Sequence, residues 1–197
     1  MKRIFLATGN KKKVVELKEI LDKAGLDIEV LSVLDGINIP DVIEDGTTFE
    51  ENSVKKALEI AKYLDMVAIS DDSGLCVEAL DGAPGIYSAR YSGEDATDIT
   101  NNKKLIKDLK GKKNRKAKFV CVITLAKPTG EVYSFRGEVE GDIIDEPRGV
   151  KGFGYDPHFF MKEYRKSLAE IPEKKKEISH RAVALKKLLA EIQNILD

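Results

Sequence analysis

Met66-Val67-Ala68-Ile69-Ser70-Asp71-Asp72-Ser73-Gly74-Leu75 is the stretch on which the reading of this 197-residue chain turns. The apolar run 66–69 reads as a buried strand. Two adjacent carboxylates, a serine and a glycine follow it, and these are ordinary turn residues. The sequence therefore predicts that the strand ends and the chain turns at residues 70–74, with a further strand from Leu75 to Leu80. In open α/β sheets ligands bind beyond the carboxyl ends of strands. Two carboxylates side by side repel unless a cation or a shared proton relieves them. Mg²⁺ suits such a place, because it takes one or two carboxylates and completes its shell with water and phosphate oxygens. A polar turn without a ligand accounts for the same four residues, so the rest of the chain must decide.

Outward from that stretch, strands and helices alternate. Ile4 to Ala7 reads as a short buried strand and Thr8-Gly9-Asn10 as a turn. Val14, Leu17, Leu21 and Ala24 then recur at helical spacing, and Gly25 stops the helix. Lys11, Lys12 and Lys13 sit at the start of this helix, where backbone amides already attract anions. The Walker spacing is absent, and a solvated lysine-rich helix start fits these residues as well. Ile28 to Val33 is a second strand. After a polar loop with Glu44-Asp45-Gly46, Thr48 and Glu51 form a capping box. The helix behind it carries Val54, Ala57, Leu58, Ala61 and Leu64 as its apolar face. Asn52 and Lys56 lie one turn apart on it, where a solvated face is the usual fate of such residues.

Downstream, Asp81 to Gly85 is a rigid turn, and Thr97 or Asp98 caps a helix reaching about Lys110. Phe119–Leu125 and Val132–Val139 are strands joined by a hairpin at Lys127-Pro128-Thr129-Gly130. Another strand lies near Asp142–Ile144, and Phe159-Phe160 suggests one more. A helical turn from Ser167 ends at Pro172. A last helix runs from about Ser179 to Leu196, with Ala182, Leu185, Leu189, Ile192 and Leu196 as its stripe. The fold class is mixed α/β.

Composition narrows the function. Net charge is −1, so no global basic field points to nucleic acid. No apolar run is long enough to cross a membrane. Cys76 and Cys121 lie in apolar strands outside any C-x-x-C pair and read as reduced thiols of a cytoplasmic protein. What remains is a set of local clusters. Asp71, Asp72 and Glu44 are acids for a metal. Lys13, Lys56 and a lysine of 174–176 are candidate phosphate binders. Phe153-Gly154-Tyr155-Asp156 offers an aromatic and polar groups for a base, and His180-Arg181 offers donors at a helix start. This inventory describes a nucleoside triphosphate site.

Six blocks carry a resemblance: Leu6-Ala7-Thr8-Gly9-Asn10-x-x-Lys13; Thr48-Phe49-x-x-Asn52 with Lys56; Asp71-Asp72-Ser73-Gly74-Leu75; Gly82-Ala83-Pro84-Gly85-Ile86-Tyr87-Ser88-Ala89-Arg90-Tyr91; Gly152-Phe153-Gly154-Tyr155-Asp156-Pro157; and Ser179-His180-Arg181 with Ala184-Leu185. In this order they resemble the inosine triphosphate pyrophosphatase family. The resemblance implies hydrolysis of ITP, dITP and XTP to the monophosphate and pyrophosphate with Mg²⁺. It implies a single domain over residues 1–197, with a long central mixed sheet, flanking helices, and two lobes around a cleft. It also implies a homodimer. By motif, Asp72 would be the general base and would hold Mg²⁺ with Glu44. Thr8, Gly9, Asn10, Lys11, Lys12 and Lys13 would line the triphosphate site with Lys56, and Ser73 would touch the substrate. Phe153, Gly154, Tyr155 and Asp156 would hold the base, with Lys175, His180 and Arg181. His158 and Met161-Lys162 depart from the family pattern, and Lys175 is set by counting back five from His180. A pyrophosphatase for modified pyrimidine triphosphates, or a nucleotide sensor without turnover, are the competing readings.

Overall fold

The computed structural model describes residues 2–197. Its strands are β1 (Lys2–Leu6), β2 (Ile28–Ser32), β3 (Ala68–Val77), β4 (Lys116–Ala126), β5 (Val132–Ile143), β6 (Phe159–Met161) and β7 (Lys166–Ser167). Its helices are α1 (Lys11–Lys23), α2 (Phe49–Leu64), α3 (Asp98–Asp108), α4 (Pro172–Ile178) and α5 (His180–Leu196). The strands form one sheet in the order β2-β1-β3-β4-β5-β6-β7. β1 runs parallel to both β2 and β3, whereas β6 is antiparallel to β5 and β7. The sheet is therefore mixed, as the sequence predicts.

Contacts divide the chain into two compact units. The first comprises the residues up to 72, with 122–136 and 184–197. Phe5, Ala57, Ile60, Ala61, Ala68 and Ala126 are buried together in it. The second comprises residues 73–121 and 137–183. Its core gathers Leu75, Val77, Leu105, Leu109, Phe119, Ile143, Phe159 and Leu168. Phe119 and Phe159 pack there with ring centroids 4.6 Å apart.

The acidic stretch is not a turn. Strand β3 runs unbroken through Ser70, Asp71, Asp72, Ser73 and Gly74 to Val77, and Glu78–Leu80 form a 3₁₀ turn. Two facts explain the difference. Leu75 and Val77 are fully buried, so the strand is drawn onward beyond the polar residues. Pairing with β1 stops at Leu6 and Ile69, while β4 still borders the other side of β3. The carboxylates thus lie beyond the carboxyl end of β1 but in the middle of β3. Successive strand residues face opposite ways, so Asp71 and Asp72 cannot share one environment.

Other boundaries move for similar reasons. The strands expected at 132–139 and 142–144 are one, β5, which continues through Gly141. A Cβ at Gly141 would lie 2.6 Å from the Phe159 ring and 2.7 Å from the Phe160 carbonyl oxygen, so glycine permits that close approach. The helical turn expected from Ser167 forms as a 3₁₀ turn over Leu168–Glu170, and Pro172 then opens α4 at the first helical position, where a missing N–H costs nothing. Strand β7 has only two residues and leaves no periodic signal. The capping box at Thr48 forms as expected, and of Thr97 and Asp98 it is Thr97 that caps α3, with Thr100 completing a box. On α2, however, the buried stripe also takes in Phe49, Asn52, Ser53 and Ile60 beside Ala57 and Ala61, while Leu58 and Leu64 pack half-buried against it. On α5, Leu188 and Ile195 are buried where Leu189 and Leu196 were expected.

Candidate active site

The first unit builds its cluster where β1 ends. Thr8, Gly9 and Asn10 connect β1 to α1, and the Thr8 hydroxyl accepts a hydrogen bond from the Asn10 amide at 3.1 Å. Asn10 caps α1 by accepting from the Lys12 amide at 3.0 Å. Lys11 and Lys12 are exposed, whereas Lys13 turns inward. Its Nζ donates to both oxygens of Asp71, at 3.0 and 2.9 Å. The Asp71 side chain is only 6% exposed, so this is a sheltered ion pair rather than a surface one.

Asp72 is held differently. Its Oδ2 accepts from the Asn52 amide nitrogen at 3.2 Å. Asn52 is 2% exposed, which overturns its reading as a solvated helix residue. Its amide oxygen accepts from the Gly46 N–H at 2.8 Å. Gly46 lies in the same loop as Glu44, whose carboxylate accepts from Lys56 Nζ. Lys55 makes a parallel pair with Asp45, and the lysine beside it holds that carboxyl below the usual carboxylate range. An open cavity of about 400 Å³ adjoins this loop system. Val33, Ile39, Pro40, Val42 and Ile60 line it, with Thr8, Gly9 and Lys56.

The second unit builds a separate cluster. Asp156 is almost wholly buried; its Oδ2 accepts from the Phe153 amide at 3.0 Å and from Lys175 Nζ. The Lys175 ammonium also lies 4.2 Å from the centroid of the Phe153 ring. Phe153 itself is 64% exposed, an aromatic face anchored from beneath. Gly152 has φ +95°, and a Cβ there would lie 2.3 Å from Asp156 Oδ2, so only glycine leaves room for the carboxylate. Gly154 is fixed from both sides: its N–H donates to Asp98 at 2.7 Å, and its carbonyl accepts from Asn102 at 2.8 Å.

Lys174 and Lys176 pair with Glu177 and Glu173 on the outside of α4. Of the three neighbouring lysines, Lys175 is the one turned toward Asp156. Tyr155 belongs to the core of this unit, its hydroxyl donating to the Ser88 carbonyl at 2.7 Å. Burial pushes that hydroxyl well above the usual tyrosine range. The Ser88 hydroxyl in turn accepts from the Leu75 amide at 2.8 Å and donates to the Gly85 carbonyl. His180 is buried and stacks on Phe119, with ring centroids 4.9 Å apart and planes 15° from parallel. Arg181 follows it, half-buried in the first turn of α5, which Ser179 caps through the Ala182 amide. Ser73 is half-buried on β3.

Asn52, Asp98 and Asn102 make contacts to Asp72 and Gly154 that the sequence does not announce. For Asn52 the available signal was its place inside a matching block. For Asp98 and Asn102 there was none, since Gly154 lies 56 and 52 residues away.

The first unit thus sets lysines against carboxylates beyond a parallel strand, and the second sets an exposed aromatic over a buried carboxylate. The chain belongs to the Ham1 family, whose model matches residues 4–191. It is 50% identical over 194 residues to the dITP/XTP pyrophosphatase of Desulfotalea psychrophila, covering 98% of this chain and 86% of that protein. Among solved structures it resembles the Ham1 protein of Staphylococcus aureus, with a TM-score of 0.92 and 42% identity over 98% of this chain and all of that one. A nucleoside-triphosphatase / dITP/XTP pyrophosphatase from Mycobacterium abscessus matches with a TM-score of 0.82 and 38% identity, over 94% of this chain and 97% of that one.

Proposed function

We propose that this chain is a nucleoside-triphosphate pyrophosphatase for non-standard purine nucleotides. It would cleave dITP, ITP and XTP between the α and β phosphates, releasing the monophosphate and pyrophosphate. The observation that carries this reading is a pair of adjacent carboxylates beyond the end of β1, Asp71 held by Lys13 from the start of α1 and Asp72 by Asn52 from α2. Relatives named dITP/XTP pyrophosphatase supply the substrate class.

Asp72 is the proposed general base, taking the proton of the attacking water on a carboxylate oxygen. Lys13, Lys56 and the amides at the start of α1 are the proposed partners of the triphosphate, neutralising its charge. Asp72 and Glu44 are the proposed holders of Mg²⁺. Among the described residues no three His, Cys, Asp or Glu gather as a metal site. That donor set fits Mg²⁺, which needs one or two carboxylates and takes its other ligands from water and phosphate. When bound, Mg²⁺ would offset the negative charge of the phosphates.

In the second unit the exposed Phe153 ring is the proposed stacking face for the base, with Lys175 fixing the loop beneath it. His180 and Arg181 are proposed donors to a 6-oxo group. An arginine can only donate, so adenine's 6-amino group would leave it unmatched. Tyr155 is assigned to holding the loop, because its hydroxyl is committed to Ser88. We place the enzyme in the cytoplasm, which Cys76 and Cys121, not joined by a disulfide, suit. We propose a homodimer, to be checked by light scattering.

Phosphorus NMR of XTP or dITP hydrolysis tests the reading. Pyrophosphate and the monophosphate are expected; orthophosphate, or no turnover, would overturn it. Turnover is expected to stop on chelation with EDTA and return with Mg²⁺. Undiminished activity in EDTA would remove the metal from the scheme.

A further inference from the structure

We infer that Asn52 is a positioning residue for the reaction, fixing Asp72 and the Glu44 loop in one geometry. This rests on the reading of Asp72 as the base.

Three residues carry the inference. The Asn52 side chain receives a hydrogen bond from the Gly46 N–H at 2.8 Å and gives one to Asp72 Oδ2 at 3.2 Å. The two partners dictate which end of the amide is which. A backbone N–H can only donate, and an ionised carboxylate can only accept. A side chain between them must therefore present an acceptor to one and a donor to the other. An amide does so with both atoms fixed in one plane. Asn52 is 2% exposed, so little water is available to replace either bond.

The loop side is fitted just as closely. A Cβ at Gly46 would lie 2.7 Å from Asn52 Oδ1 and 2.7 Å from the Glu51 Cβ. A side chain at position 46 would push the loop off the amide. The helix side is anchored too. Thr48 caps α2 and Glu51 bonds back to Thr47 and Thr48, so the turn that presents Asn52 is itself held. A polar residue this deep in the stripe of α2 loses the burial that an apolar side chain would give there. Fixing the base against the loop that carries Glu44 is what that position gains. A misplacement of about 1 Å at a reacting centre can cost roughly 100-fold in rate.

Two variants separate the halves of the bridge. Asn52→Leu removes both bonds. Asn52→Asp keeps the shape and an acceptor for Gly46 but faces Asp72 with a second carboxylate. Each is expected to lower kcat by about 100-fold while KM stays within about threefold, because the substrate's own contacts are untouched. In an Asp72→Asn background only the bond from Gly46 is left to act. Asn52→Leu is therefore expected to cost clearly less there than in the wild type.

Wild-type kcat in both single variants would overturn the inference. So would a proportionate loss of kcat and substrate affinity in folded protein, or an undiminished effect of Asn52→Leu in the Asp72→Asn background. If Asn52→Leu does not fold, the isosteric Asn52→Asp decides alone. Failure of the enzyme reading looks different, since the wild-type protein would then release no pyrophosphate from XTP or dITP.

Discussion

The two carboxylates of β3 differ in what removing their charge should do. Asp72→Asn keeps the shape but not the basicity, so kcat is expected to fall by about 10² to 10⁴. Asp71 is one strand position away, faces the other side, and is clasped by Lys13. Asp71→Asn is expected to loosen Lys13 and raise KM, with a smaller loss of kcat. Steady-state kinetics on the two variants checks this, and equal losses of kcat would contradict it. Lys175 is expected to behave differently again. Its removal leaves the buried Asp156 carboxylate without its cation, which costs about 3–5 kcal/mol for a buried pair broken on one side. Lys175→Met should thus lower the melting temperature clearly. Adding Asp156→Asn should restore much of that stability without restoring the affinity for substrate, since the anchor beneath Phe153 stays lost. A thermal melt and a KM on the double variant read the two effects apart.

At the scale of elements, local chemistry was legible and long-range pairing was not. Thr48 and Thr97 announce their helices because a cap needs only residues three apart. Thr48→Ala is expected to cost about 1 kcal/mol, the usual worth of such a cap, measured by denaturant unfolding. The Asp-Asp-Ser-Gly run misled because its residues favour turns, whereas its state is set by burial of Leu75 and Val77 and by a neighbouring strand. Asn52 looked solvated because the residues that satisfy it, Gly46 and Asp72, are six and twenty positions away. Lys13 at a helix start and Lys56 on a helix stood out as candidates by position, yet the resting partners of Lys13, Lys56 and Lys175, namely Asp71, Glu44 and Asp156, did not. Helix α3 carries the clearest acid dependence. Hydrogen bonds from Lys104 and then Tyr91 hold the Asp108 carboxyl below its usual range. A depressed folded pKa stabilises the fold above the ordinary carboxylate range, near 3.8, and that stability is lost as pH falls through the lower folded value. Asp108→Asn protein is expected to be less stable than wild type at neutral pH and to lose less between pH 5 and pH 2. Urea unfolding at each pH measures the difference.

For the whole molecule, the order of the segments bears on cooperativity. The first unit draws on three stretches of chain and the second on two, with β3, β4 and β5 each contributing to both. Neither unit is a continuous piece of sequence. A fragment ending at residue 72 has the early strands and helices of the first unit, but it lacks Ala126, which is buried with Phe5, Ala57 and Ala68, and it lacks all of α5. In a small core each missing apolar side chain matters, because folding stability is a small difference between large terms. The fragment is therefore expected to show little fixed structure by circular dichroism. The full chain is expected to unfold in one transition, since melting one unit breaks strands that continue into the other. Calorimetric and van't Hoff enthalpies should then agree. Two resolved transitions, or a folded 1–72 fragment, would show that the first unit is self-sufficient despite its scattered segments.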